Sequence, residues 1–360
     1  MSANAPAATD IAQSVSVRRH CEKADYTGPL IVRLELLTVG DAFHDLIFMA
    51  LPRLPRIGEE VKTSRFAATI GGGAVITATA AARLGVRTGV VSALSVDAAG
   101  ELRRRGVSVF NVRRPSEPYA ITAALSTRRD RGFVTFNGVN DRLQPRLPLA
   151  VSRHPAAHVH FAFAPLHCAR WARISARLRA AGATTSWDFG WEPSLRSRPG
   201  FPHLLRSADF IFVNEIEATM YAGTSSRSAA AGFWRQSSPN TVIKLGRRGS
   251  RWINASIDIR AAAPHVRSVE TTGAGDAFDG GFLFAFLRGA LPRECLRAGN
   301  YVGAQSTLAA GGIASLPRRL PAGLAGRAGR ARLEGWPASV RPARPTRPAR
   351  PARPVRPKRP

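Results

Sequence analysis

Apolar runs of strand length alternate with longer runs of helical character along most of the chain. Leu30 to Val39 reads as an apolar strand that breaks at Gly40-Asp41, and Leu46-Ile47-Phe48-Met49 as a second short run, followed by a stretch punctuated by Pro52, Pro55 and Gly58. Gly71-Gly72-Gly73 then opens a run of small residues, Ala74 to Leu84, whose alanines and stop at Gly85 predict a tightly packed helix. Strand-like and helix-like runs continue through Val86 to Leu94, Ala98 to Arg105, Ile121 to Phe136, His158 to Phe163, Ala169 to Ala181, Thr184 to Asp188, Phe210 to Val213 and Thr241 to Leu245. Asp276 to Gly289 is apolar on nearly every side, with Phe278, Phe282 and Phe286 at helical spacing, which predicts a buried helix. Such alternation predicts an α/β domain with a mainly parallel sheet.

With 360 residues, 44% of them hydrophobic, the chain can bury one large core or two ordinary ones. No apolar run approaches the roughly 18 to 20 residues of a membrane helix, and the first 30 residues lack the apolar stretch of a signal peptide. Cys21, Cys168 and Cys295 are far apart and never form a C-x-x-C pair, so reduced thiols in a cytoplasm are expected. Of the net charge of +28, +10 lies in residues 321–360, where Arg341, Arg344, Arg347, Arg350, Arg353, Arg356 and Arg359 are each followed by Pro. This tail cannot bury a core or donate a backbone hydrogen bond at every third residue, so it reads as disordered or polyproline II. It is either a solubilising extension or a stripe of arginines for an anionic polymer. Three parts are therefore expected: a flexible Ala/Ser/Thr-rich extension over 1–29, a folded domain over 30–320 and the Arg/Pro-rich tail over 321–360.

The chemistry concentrates in Glu270-Thr271-Thr272-Gly273-Ala274-Gly275-Asp276-Ala277-Phe278, a glycine-bearing turn running into the buried helix. Small residues let backbone N–H groups approach an anion, and a helix start leaves N–H groups free at the positive end of its dipole. Asp276 puts a carboxylate where a phosphate would be attacked, the place of a general base in phosphoryl transfer. Read alone, the stretch is equally an N-capped helix after a glycine turn, with Asp276 as the cap.

Glu270 to Gly281 closely resembles the second signature of the ribokinase-like (PfkB) carbohydrate kinases, D-T-T-G-A-G-D-x-F, at every position but the first. Other landmarks fall in that family's order. Gly40-Asp41 with Asp45 is similar to the sugar-contacting end of its first strand, and Leu54-Pro55 through Gly58-Glu59 to the following loop. Gly71-Gly72 through Gly85 resembles its first signature, Gly138-Val139-Asn140-Asp141 its G-A-N-D segment, and Asn214-Glu215-Ile216-Glu217 its N-x-x-E motif. Gly246 to Gly249 resembles the glycine loop beside the nucleotide, and Asn300 falls in the late helix that lines the adenine pocket.

The resemblance, which spans about Leu34 to Leu316, implies a three-layer α/β/α fold with a small β lid from about 51–68 and 121–135. It implies transfer of the ATP γ-phosphate to a hydroxyl of a sugar or sugar acid, with a nucleoside acceptor as the alternative. Asp276 is then the base, and the amides of Gly273, Ala274 and Gly275 form the anion hole. Asn214, Glu217, Lys244, Gly246, Gly249, Thr272 and Asn300 serve the nucleotide, with Glu217 holding Mg2+ through water. Asp45, Gly71, Gly72 and Asn140 contact the acceptor, and Glu270 stands at a monovalent-cation loop of the kind K+ occupies. A homodimer through the lid is the implied assembly.

The chain also departs from the family. Ile76 stands where an Asn is usual and cannot hydrogen-bond a sugar, Gly73 replaces the Lys of ribokinases proper, and Glu270 replaces an Asp. These departures and the basic tail motivate a rival reading as a non-catalytic nucleotide-binding member. No G-x-x-x-x-G-K-[ST] loop is present, and Gly71-Gly72-Gly73 lacks dinucleotide-binding spacing. His154, His158, His160 and His167 with Cys168 have no carboxylate nearby in sequence and make a poor metal site.

Overall fold

Leu36, Leu37 and Val39 of strand β1 (Leu34–Gly40) are all fully buried, so this strand is apolar on both faces. That pattern belongs to a parallel sheet covered by helices on both sides. A computed structural model describes residues 34–127 and 131–324; the expected extension over 1–29, and the expected tail beyond its first four residues, lie outside the described residues.

The elements follow β1 as β2 (Phe43–Leu51), β3 (Arg65–Gly71), α1 (Gly73–Arg83), β4 (Thr88–Ser92), α2 (Val96–Arg104), β5 (Ser108–Asn111), β6 (Ile121–Thr127) and β7 (Arg131–Phe136). The middle of the chain supplies α3 (Leu147–Arg153), β8 (Ala156–Ala162), α4 (Cys168–Ala180), β9 (Thr184–Asp188), α5 (Phe201–Ser207), β10 (Phe210–Asn214), α6 (Glu215–Ala222) and α7 (Arg227–Ser237). The last part supplies β11 (Thr241–Lys244), β12 (Ser250–Ile253), β13 (Asp258–Ala261), α8 (Ala274–Leu287) and α9 (Pro292–Ser306). Nine strands make the main sheet in the order β13-β12-β11-β10-β9-β8-β1-β4-β5, parallel except for the antiparallel β11-β12-β13 edge.

One face buries Leu37, Val39, Phe161, Trp187 and Ile211 under Leu147, Trp171, Leu204, Tyr221 and Trp234 of α3 to α7. The other buries Leu36, Phe210, Phe212 and Val242 under Phe278, Phe282 and Phe286 of α8 and Leu296 of α9, with α1 and α2 over Val90. Helix α8 carries Gly280-Gly281 in its middle, an unfavourable choice unless something comes close. Here a Cβ on Gly280 would lie 2.6 Å from the Ala80 side chain and one on Gly281 2.7 Å from Val302, so the two glycines let α8 press against α1 and α9 at once. Thr77 Oγ1 donates to the Asp276 carbonyl at 3.0 Å and ties α1 to the first turn of α8.

A separate four-stranded sheet, ordered β3-β2-β6-β7, forms the lid. Its β6-β7 half falls within the expected second excursion, and Ile121 to Phe136 resolves into two antiparallel strands. The first half differs from expectation: β2 begins at Phe43 and is itself a lid strand, while residues 52–64 contain no strand. The buried positions on β2 are Asp45, Ile47 and Leu51, so a carboxylate occupies the face where an apolar residue would have marked the strand.

Candidate active site

Strand order reverses at β1, which has β4 on one side and β8 on the other. Crevices beyond the carboxyl ends of strands at such a reversal are where open α/β sheets bind ligands. Gly40 and Ala162 end β1 and β8 so close together that a Cβ on Gly40 would lie 2.2 Å from the Ala162 carbonyl oxygen. The chain after β1 then carries Asp41 and Asp45, and β3 delivers Gly71-Gly72-Gly73 to the same place. A Cβ on Gly71 would fall on Asp45 Oδ2, at 1.8 Å, and one on Gly73 would lie 3.0 Å from Asp276 Oδ1. The three glycines are a strip of bare backbone against which two carboxylates close.

Gly273, with φ 75°, is the N-cap of α8, so Asp276 is not the cap but the third residue of the helix. The Ala277 N–H returns to Gly273 O and the Ala274 N–H reaches Thr271 O at a long 3.3 Å, leaving Gly275 and Asp276 as N–H groups without an intrahelical partner. Of the Gly273 to Gly275 set expected from the sequence, the Ala274 N–H is turned to Thr271 O, and the Gly273 and Gly275 N–H groups have no backbone partner among the described residues. Ile76 lies beneath this turn rather than in the acceptor space: it is 1% exposed, and a Cβ on Gly273 or Gly312 would meet its Cδ1 at 2.5 or 2.8 Å.

Lys244, at the end of β11, reaches under the turn, with Nζ 3.1 Å from where a Gly275 Cβ would be. Its ammonium donates to Asp188 Oδ2 at 2.5 Å and to Asp279 Oδ2 at 3.3 Å. Neither carboxylate stood out in the sequence, although each carries a signal: Asp188 ends a buried strand, and Asp279 is a charge on an otherwise apolar helix face, one turn beyond Asp276. Carboxylate oxygens of Asp188, Asp276 and Asp279 lie within 4.8 Å of one another, a metal-like grouping that the Lys244 ammonium already serves. Burial alone would lower the Lys244 pKa, but Asp188, Asp279, Glu217 and Asp276 together hold it well above its ordinary value. Asp188 is lowered because the pull of Lys244 and its hydrogen bonds outweigh burial, whereas burial keeps Asp279 raised. Burial, with repulsion from Asp188, lifts Asp276 to about 7 against the opposing charge of Lys244. Asp45 is also lifted to about 7, by burial and then by Asp276 and Glu270.

Asn214 and Glu217 close the start of α6 as a reciprocal capping box: Glu217 N–H donates to Asn214 Oδ1 and Asn214 N–H to Glu217 Oε2, both at 2.8 Å. Helix capping and site placement hold together here, because Glu217 is buried and raised to about 7 by burial and by Asp188. Glu270 Oε1 accepts from the Thr272 N–H and hydroxyl at 2.7 and 2.6 Å, while its Oε2 is buried with no partner among the described residues. Asn140 is buried; its amide donates to Ala42 O at 3.2 Å and its Oδ1 has no partner among the described residues. Asn300 gives its amide to the Ala261 and Ala262 carbonyls, pinning α9 to the end of β13. Gly249 permits the same edge to close, since its Cβ would lie 2.0 Å from Ala261 O, while Gly246 with φ 59° faces open space. From the lid, Arg131 donates to Thr271 Oγ1. Of the histidines set aside as a poor metal site, His158 and His160 share Ser186 Oγ at 2.7 and 2.8 Å in a buried chain, and His158 also meets Thr184.

Known proteins share the fold and family of this chain. A nucleoside kinase of Methanothermobacter thermautotrophicus is 26% identical over 280 residues, 74% of this chain and 87% of that protein. A 2-dehydro-3-deoxygluconokinase of Bacillus subtilis is 26% identical over 313 residues, 80% and 94% of the two chains. The solved structure of Arabidopsis thaliana ribokinase with ribose and ATP superposes with a TM-score of 0.63 at 24% identity, covering 79% of this chain and 96% of that one. The family model described as pfkB family carbohydrate kinase matches residues 33–319, from β1 through α9 and with the glycine strip, the lid strands and the α8 turn inside it, so the chain belongs to the pfkB family of carbohydrate kinases, phosphotransferases that act on a hydroxyl.

Proposed function

We propose that the enzyme transfers the γ-phosphate of ATP to a hydroxyl of a sugar-type acceptor held between Asp45, Asn140 and the Gly71-Gly72 strip. The observation that carries this reading is the Asp276 carboxylate: its proton affinity lies near neutrality, it faces the strip, and it stands in the first turn of a helix whose Gly275 amide is open. As the acceptor oxygen attacks, its proton passes to Asp276, the new O–P bond forms and the bond between the γ-phosphorus and its bridging oxygen breaks, releasing ADP. The amides of the Gly273 to Gly275 turn, with those of Gly273 and Gly275 free of backbone partners, and the Lys244 ammonium beneath it stabilise the charge on the transferred group. Asn214, Gly246, Gly249, Thr272 and Asn300 border the nucleotide space in this reading.

Glu217 has one oxygen committed to the capping box and keeps the other for a magnesium ion held through water, and the unpartnered Glu270 Oε2 suits a potassium ion. A magnesium ion bound there would neutralise charge on the β- and γ-phosphates. A nucleoside acceptor is the second reading, supported by the nucleoside kinase relative and by the Phe43, His44 and Tyr119 rings beside Ala42.

The test is ADP release from magnesium-ATP across sugars and nucleosides, with Asp276→Asn as the comparison. The expected loss in kcat is about 10²- to 10⁴-fold with ATP still bound. An Asp276→Asn enzyme as fast as the parent would overturn the assignment.

A further inference from the structure

We propose that, independently of the kinase reading, the outer face of α4, continued by α5, is a docking surface for double-stranded DNA, held through its phosphates without a reading of sequence. From Arg142 to Trp187 the chain carries seven Arg and not one Asp or Glu. Helix α4 turns Cys168, Trp171, Ala172 and Ser175 to the core. The positions it exposes are Ala169, Arg170, Arg173, Ala176, Arg177 and Ala180, arginine or alanine in every case. The neighbouring α5 exposes Pro202, His203 and Arg206 and no acid. The acids that follow in sequence are engaged with other cations: Asp188 with Lys244, Glu192 with Arg198 and Asp209 with Arg179. Arg170, Arg173, Arg177 and Arg206 have no ionic partner among the described residues.

Helix stability does not account for this ridge. Arg170 is the third residue of α4, where a cation opposes the positive end of the helix dipole, and Arg173 and Arg177 stand four apart, where like charges repel. Other helices do the reverse: α2, α6 and α9 carry Asp97, Glu215 and Glu294 in their first turns. A polyanion laid on the ridge removes the repulsion. A rise of about 1.5 Å per residue sets the three arginines at steps of about 4.5 and 6 Å along one side of α4. The alanines between them let a phosphate chain come close. Duplex DNA matches this face, because it presents one charge per about 1.7 Å of axis and releases condensed counterions to each arginine that binds a phosphate. Phosphate contacts of this kind position a duplex and carry no sequence information. A membrane is the poorer match, since a helix lying on lipid inserts large apolar side chains, and α4 and α5 expose none.

The test is fluorescence anisotropy of a short labelled DNA duplex of mixed sequence, titrated with the full-length chain carrying Arg→Gln at the seven tail positions from Arg341 to Arg359, so that the tail does not mask the ridge. Kd should lie at about 10⁻⁶ to 10⁻⁴ M at physiological salt. Adding Arg170→Gln, Arg173→Gln and Arg177→Gln together should weaken binding at least about tenfold and flatten the slope of log K against log salt by about 2 to 3. The same three positions changed Arg→Lys should keep the slope, because a phosphate takes either cation. Arg103→Gln, Arg104→Gln and Arg297→Gln remove equal charge from exposed positions of α2 and α9, over the other face of the sheet, and should change the slope by less than about 1. No binding of the duplex, an affinity unmoved by the α4 substitutions, or equal weakening by both glutamine sets overturns the inference. So does tighter binding to vesicles containing phosphatidylserine than to the duplex, lost with the α4 arginines, which would make the ridge a membrane contact.

Discussion

Lys244 is the residue on which the centre's electrostatics turn. Four carboxylates, Asp188, Asp279, Glu217 and Asp276, act on one ammonium, and only Asp188 is held below its ordinary value by it. Removing the charge leaves the buried acids uncompensated, so Lys244→Met should destabilise the fold by roughly 3 kcal/mol, read as a lowered Tm. Its kinetic signature differs from that of a packing defect. In the proposed reaction Asp276 must be ionised to take the acceptor's proton, so kcat should rise with pH through about 7 in the parent enzyme. Lys244 lowers the Asp276 pKa, so without it the rising limb should shift to higher pH, whereas a variant that only loosens the core leaves the limb in place. A pH–rate profile of Lys244→Met with an unshifted limb would separate Lys244 from the base.

Helix α8 shows how an element is tuned against its own propensity. Alanine is favoured over glycine by about 1 kcal/mol in a helix interior, yet Gly280→Ala places a methyl group 2.6 Å from Ala80 Cβ and 2.8 Å from Thr77 O. Thr77 is also the residue that anchors the Asp276 carbonyl. Overpacking should win, costing about 1 to 3 kcal/mol in a denaturant melt, and kcat should fall further than stability accounts for, because the turn that carries the proposed base rides on the displaced helix. A more stable Gly280→Ala enzyme would show that the helices have room to part.

The same helix marks where the sequence is readable. Its aromatic spacing predicts a buried helix, the strand and helix alternation an α/β domain with a mainly parallel sheet, and the family resemblance of the ordered motifs implies the three layers; β1, α1, β9 and α8 fall within a few residues of their expected bounds. The lid was less legible. Strand β2 buries Asp45 where an apolar residue would have declared the strand, and β7 is largely exposed, so neither has the alternation that marks a two-faced strand. Local structure at the candidate site was legible where it depends on neighbouring residues, as in the glycine turn before α8 and the Asn214-Glu217 box. The Lys244-Asp188-Asp279 grouping was not, because three distant segments assemble it only through the parallel register of β9, β10 and β11 under α8. Ile76 shows the converse: a position that reads as a substrate contact serves as packing beneath the turn.

At the scale of the whole molecule the field has two layers. The chain carries +28, with +18 outside residues 321–360, while the Asp45 and Asp276 carboxylates close on the Gly71 to Gly73 strip proposed to hold the acceptor. A basic surface attracts an anionic nucleotide over about a Debye length, roughly 8 Å at physiological ionic strength, and a neutral acceptor feels no such attraction. Raising salt from 50 to 300 mM should therefore raise the KM for magnesium-ATP several-fold and leave the KM of a neutral acceptor nearly flat. The tail's share can be separated by a stop after Leu324, since Leu316 is already 2% exposed in the core and its carbonyl takes the Arg83 Nε–H at 2.7 Å, upstream of the cut. That shortened enzyme should keep its Tm, and any flattening of the nucleotide's salt slope measures what residues 325–360 contribute to steering. A slope that is flat in the full chain as well would mean that the excess of arginine plays no part in nucleotide capture, and that the Lys244 ammonium and the amides of α8 bind the phosphates without help from the surface.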